Sequence, residues 1–241
     1  WVVGALPVSD PDGTVAAIRL VTAPSSGQLV YFTFDVVLGQ VTHVIAEGDL
    51  VPVSTSLYYS PPENFSGTAT FEYAAEDNQG QAGNAATATI TVNPVNDAPV
   101  VTISAPADLV EASAAGGPGV SSATAAVTRS DVDGDTVVQD ATAMTADGWA
   151  SFTIPGTMIS GFRKTGLYGT AEWNPITDVV TYTLDNSNPA VDALNVGSAP
   201  LSEIFTLHLT DNNGGNAAPT VSFAIHGGND GPFFFNDTAT T

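Results

Sequence analysis

The chain has 241 residues, 43% of them hydrophobic, and a formal charge of −21 that sets four basic side chains (Arg19, Arg129, Arg163, Lys164) against 25 acidic ones. Such a surface excludes nucleic acid and anionic lipid as partners and favours cations, while the apolar content excludes global disorder. There is no cysteine, hence no disulfide framework or thiolate chemistry, and no apolar run near the ~20 residues of a membrane span.

In chain order, Trp1–Leu6 reads as a strand running into the turn cluster Ser9-Asp-Pro-Asp-Gly13. Val15–Val21 and Gln28–Val36 read as the next strands, broken by Pro24-Ser-Ser-Gly27. Val36–Pro52 gives no clear pattern beyond a turn at Glu47-Gly48-Asp49. Leu57–Ser60, Ala69–Ala75 and Ala86–Val92 complete a meander, with Phe71 and Tyr73 sharing one face and Thr70 and Glu72 the other. Strict alternation with a turn every ten or so residues is the signature of a sandwich, and no window shows a helical period.

Thr91–Val100 (T-V-N-P-V-N-D-A-P-V) ends this half. Pro94 and Pro99 cannot donate to a sheet and fix φ, so they stop one domain and stiffen the passage to the next. The pattern returns as Val221–Ile225 followed by Asn229-Asp-Gly-Pro232, and this internal repeat marks two domain ends. The second domain opens at Val100–Ile103. Ala112–Ala126 is small and Gly-rich, and part of it is expected to be mobile. Thr124–Thr128, Trp149–Ile154, Gly169–Trp173, Val179–Leu184, Ile204–Thr210 and Thr220–Ile225 are the remaining strands, and Pro189–Leu194 suits a single helical turn. The domains expected are 1–95, a linker at 96–99, 100–228, and a linker with a further strand at 229–241. Both are expected to be all-β, as two tandem Greek-key β-sandwich domains.

The chemistry lies in acidic turns at strand ends: Asp10 and Asp12, Asp77, Asn96 and Asp97, Asp131-Val-Asp-Gly-Asp135, Asp211, and Asn229-Asp230, with Glu63 and Asp185 beside other strands. Calcium takes six to eight hard oxygen ligands at about 2.3–2.6 Å. No single loop here supplies that many or matches the EF-hand spacing, but converging loops could. Asp, Asn and Gly are also ordinary turn residues, which is the competing reading of each turn taken singly. Asp131, Asp133 and Asp135 stand apart, because three carboxylates in five residues repel one another unless a cation or open water separates them. Glu47 and Glu111 read as surface charges, His208 as a surface residue on a strand, and Trp149, Trp173 and Phe233–Phe235 as packing.

The run Tyr59-Ser-Pro-Pro-Glu-Asn-Phe-Ser-Gly67, with Thr70–Tyr73, Asp77-Asn-Gln-Gly80 and Asn93–Pro99, resembles the cadherin-like repeats of giant bacterial adhesins. Asp131–Asp135, Gly166-Leu-Tyr-Gly169, Tyr182–Ser187, Asp211–Gly215 and Asn229–Pro232 resemble the VCBS repeat of the same proteins. The resemblance implies a calcium site joining the domains: Asp131, Asp133 and Asp211 from the second, Asn96 and Asp97 from the linker, Glu63 from the first. Asp10, Asp12 and Asp77 would face an upstream linker, and Asp185, Asn229 and Asp230 a downstream domain. Relative to that family the first domain lacks its first strand. Phe233–Thr241 is then expected to act as the first strand of a following repeat, or as a donor strand to a neighbouring subunit in a filament.

No nucleophile elbow, metalloprotease helix or phosphate loop occurs, so the chain reads as a non-catalytic, extracellular adhesion or filament module stiffened by Ca2+. The rival readings are a sugar- or peptide-binding adhesin domain gripping through Ala146–Lys164, and an accessory module of a secreted hydrolase.

Overall fold

The computed structural model describes residues 2–4, 6–112 and 119–229, and the chain divides into two units, Trp1–Val95 and Asn96–Thr241. Asp230 and Phe233–Thr241, with the donor-strand expectation, lie outside the described residues, as does part of the Gly-rich segment.

Alternating β-formers give the first unit its strands: β1 (Val15–Thr22), β2 (Gln28–Asp35), β3 (Gly39–Val44), β4 (Leu50–Pro52), β5 (Tyr58–Ser60), β6 (Gly67–Asp77) and β7 (Ala82–Val92). They form two sheets, β4-β1-β6-β7 and β3-β2-β5. The chain crosses between layers at β1–β2, β3–β4, β4–β5 and β5–β6, whereas β2–β3 and β6–β7 are antiparallel hairpins. The layers close on Leu20, Leu29, Ile45, Tyr59, Phe71 and Tyr73. Burying a side chain of this size contributes about 1.5–3 kcal/mol. Tyr59 donates its hydroxyl to Ser26 O at 2.8 Å. The chain passes that ring at Gly27 (φ +73°), where a Cβ would stand 2.7 Å from the hydroxyl oxygen. The pattern-poor stretch Val36–Pro52 holds the end of the β2–β3 hairpin and β4. Trp1–Leu6 has the composition of a strand, but among the described residues it makes only a bridge from Val2 to Tyr58 and a bond from Val3 N to Leu57 O at 2.9 Å.

The second unit contains β8 (Val100–Ile103), β9 (Leu109–Val110), β10 (Ser122–Ser130), β11 (Val138–Gln139), α1 (Ala141–Ala146), β12 (Ala150–Thr153), β13 (Ser160–Thr165), β14 (Gly169–Asn174), β15 (Val179–Leu184), α2 (Pro189–Asp192), β16 (Leu201–Thr206), β17 (Leu209–Thr210), β18 (Asn216–Ala217) and β19 (Thr220–His226). The large sheet runs β12-β13-β14-β15-β10-β8, and the sheets β16-β19-β9 and β11-β17-β18 complete the β-structure. Pairing is antiparallel except at β9–β19. Trp149, Trp173, Tyr182, Phe205 and Phe223 fill the core, with Tyr182 stacked on Phe223 at 4.7 Å.

Three features depart from the sequence pattern. The expected strand Ile204–Thr210 is interrupted after Thr206, where the chain changes sheets: β16 pairs with β19, β17 with β11 and β18. Helix α1 has too few residues to show a period; Asp140 nucleates it by accepting from Thr142 N and Ala143 N at 3.0 Å, and Met144 anchors it. Ala146–Lys164, the binding loop of the rival reading, is mostly the β12–β13 hairpin.

Candidate metal site

Strand β10 ends at Ser130 and delivers the chain into Asp131-Val-Asp-Gly-Asp135. Asp133 N donates to Asp131 Oδ1 at 2.8 Å, a local turn that folds the loop back on its own carboxylate. Gly134, at φ +81°, lets the chain leave that turn in a conformation that side chains disfavour. One oxygen from each of Asp131, Asp133 and Asp135 then lies within 4.8 Å of the others. Among the described residues this is where three acidic side chains converge. Asp131 Oδ2 is buried and accepts no hydrogen bond. A buried oxygen with no donor is costly, and a cation is one way to satisfy it.

Two further segments reach the same loop. Asp97 N donates to Asp133 Oδ2 at 2.7 Å, and Asn213 Nδ2 donates to Asp135 Oδ2 at 2.8 Å. Between them sits Asp211, which is 3% exposed. It accepts from Asn96 Nδ2 at 2.7 Å, from Asn213 N at 2.7 Å and from Gly215 N at 3.0 Å. The Asn96 amide, with the Asn213 and Gly215 backbone donors, holds this carboxyl below the usual aspartate range. Gly215 is required by proximity: a Cβ there would stand 2.8 Å from Ala98 Cα and 2.9 Å from Asp97 O. Segment 96–98 therefore belongs to the second unit and packs on its 211–215 loop.

The structure brings together Asn96, Asp97, Asp131, Asp133, Asp135 and Asp211 from the sequence-derived set. Glu63 lies in an exposed turn of the first unit, between β5 and β6. Asp10 accepts from Asp12 N at 3.2 Å, and Asp77 Oδ1 closes its own hairpin by accepting from Gln79 N (2.7 Å) and Gln81 N (2.8 Å). Asp185 is likewise turned into its own loop by Ser187, whose hydroxyl at 2.6 Å lowers its pKa. Asn229 is exposed at the end of the described chain.

Residues 2–93 match the family model described as the bacterial Ig domain. The first unit is similar to an Ig-like domain of bacteria. No curated protein and no solved structure matches the chain. The match agrees with the sandwich of the Ig-like unit, and it stops just short of Asn96 and Asp97. No helix among the described residues is long and apolar enough to cross a membrane.

Sequence reasoning missed two carboxylates beyond the Ig-like unit. Glu111, read as a surface charge, is buried, and its Oε1 accepts from Gly228 N at 3.0 Å. Glu203 is also buried and accepts from Tyr182 Oη at 2.5 Å and from the amides of Leu167 and Tyr168. Burial first, and then that bond, raise the Tyr182 pKa. Gly166 gives Glu203 room, which was the one sequence signal available: the Gly166-Leu-Tyr-Gly169 motif needs a partner pressed against it. His208 is half-buried rather than on the surface, with Nε2 3.6 Å from Asp147 Oδ2. The basic residues of the second unit are paired with acids, Arg163 with Glu172, Lys164 with Asp147 and Arg129 with Asp178.

Proposed function

We propose that the chain is a non-catalytic structural and adhesion module of a bacterial surface protein, of the cadherin-like and VCBS kind, in which calcium stiffens the acidic loops. The single observation that carries this reading is the Asp131, Asp133 and Asp135 cluster, with its oxygens within 4.8 Å and Asp131 Oδ2 buried without a donor. The hard oxygen donors suit Ca2+ by chemical class. The similarity of residues 2–93 to a bacterial Ig domain supports the surface role.

In this reading Asp131, Asp133 and Asp135 hold the ion, and Asp211 orders the neighbouring loop. Segment 96–97, whose donors already touch Asp133 and Asp211, is tied down when the charge between those carboxylates is neutralised. The ion's contribution is electrostatic; no bond is made or broken. The module acts as part of an extracellular array of repeats or subunits of the same protein.

The test is thermal unfolding in millimolar calcium and in chelator. Binding to the folded state alone adds RT ln(1 + [L]/Kd), on the order of 4 kcal/mol at a thousandfold excess over Kd. Calcium should raise the melting temperature, Asp133→Ala should remove most of that rise, and Glu47→Ala, in an exposed turn, should not. Identical melting curves in calcium and chelator would exclude the metal site.

A further inference from the structure

The first unit carries a second feature unrelated to the acidic loops. The β2–β3 hairpin ends in Asp35-Val-Val-Leu-Gly39, and its apolar side chains stand in water: Phe34 is 80% exposed, Val36 93%, Val37 87% and Leu38 76%. Four neighbouring apolar groups exposed to this degree form a patch rather than the scattered single residues normal on a surface.

The tip is also shaped for leaving water. Asp35 Oδ1 accepts from Val37 N at 2.8 Å and from Leu38 N at 2.9 Å, and Asp35 pairs with Gly39 across the turn. Those two tip amides are thus satisfied from within, which hydrocarbon demands of backbone groups it surrounds. Val36, Val37 and Leu38 follow one another around a turn, and each is exposed to water. A groove or flat protein surface would cover one side of such a knob, whereas a fluid hydrocarbon layer accepts all of it. From Val36 to Val44 there is no acidic or basic side chain, apart from the imidazole of His43, which is stacked on Tyr31 at 4.7 Å and bonded to Thr33 Oγ1 at 2.7 Å. A chain of charge −21 is repelled by anionic headgroups.

We propose that the β2–β3 tip docks into a zwitterionic lipid surface, burying Phe34, Val36, Val37 and Leu38 while Asp35 stays at headgroup level. The contact is shallow and reversible, as expected for a few apolar side chains without a cationic patch.

The experiment uses the intact chain with phosphatidylcholine vesicles in chelator, so that metal bridging plays no part. Val37→Trp places an indole at the exposed tip; its emission should shift to the blue and be quenched by brominated phosphatidylcholine. Val37→Asp should lower vesicle partitioning at least tenfold with an unchanged melting temperature, while Val196→Asp, at an exposed site in the second unit, should not. Adding phosphatidylserine should weaken binding. No partitioning at millimolar lipid, an introduced indole that stays unquenched, or tighter binding to phosphatidylserine would overturn the assignment. Loss of self-association by Val37→Asp without vesicles, with no lipid binding by the intact chain, would make a second copy the occupant and also overturn it.

Discussion

The two units answer the same sequence motif differently. Each has an Asp-x-Asp turn, before β1 in the first and after β10 in the second, and an aspartate in a late hairpin: Asp10, Asp12 and Asp77 in the first, Asp131, Asp133 and Asp211 in the second. In the second, a third carboxylate at Asp135 joins the turn, and Asp97, Asn96 and Asn213 bring donors to three of the acids. In the first, Asp77 spends one oxygen on Gln79 and Gln81 of its own hairpin. What distinguishes the second is convergence of separate segments on one point and a buried oxygen with no donor.

The sharpest way to break this comparison is to remove acids from each turn in parallel. Asp131→Asn with Asp133→Asn should abolish the calcium-dependent rise in melting temperature, on the order of 4 kcal/mol of stabilisation at saturating metal. Asp10→Asn with Asp12→Asn should leave that rise in place. Equal loss from both pairs, read by calorimetry, would mean that the two turns are equivalent.

A smaller effect is expected at Gly215. The Cβ and methyls of Gly215→Val would press on Ala98 and Asp97, so segment 96–98 must move or the 211–215 loop must distort. A cost of about 1–3 kcal/mol in urea unfolding is expected for overpacking of this kind, with weaker calcium binding. Gly80, with no atom near its Cβ position, lies in the corresponding first-unit hairpin; at φ +83° its valine variant carries backbone strain without a clash, so calcium binding should not change.

The smallest effect concerns acid. The Asp211 carboxyl is depressed in the folded state, so its stabilisation is fully present above the unfolded value of about 3.9 and is lost as pH falls through the folded value. Stability should fall below pH 4. Asn96→Leu removes the principal donor, so the Asp211 pKa should rise toward the ordinary value and that part of the acid loss should shrink, because the gap between the folded and unfolded values closes. Carboxyl NMR titration of Asp211 measures the shift directly, and an unmoved titration would show that Asn96 does not set it.

The strands with two-residue alternation were readable from the sequence, because the pleat sends successive side chains to opposite faces and one face must be apolar. Val180, Tyr182 and Leu184 on β15 are the clearest instance, and all three are buried. The all-β class follows from many such segments, and the Asp131–Asp135 loop declared itself by local charge density. Tertiary structure alone decided the rest. Six-residue α1 has no period to read and exists because Asp140 caps it and Met144 is buried. Glu111 and Glu203 look like solvent charges in one dimension, since what makes their burial tolerable, Gly228 N in one case and Tyr182 with two amides in the other, lies far away in sequence. For the same reason the sequence marked Asp211 without revealing that Asn96 and its own loop donate to it. Alternation and charge density are local properties of the chain; the pairing of a buried carboxylate is set by which distant segment the fold lays against it.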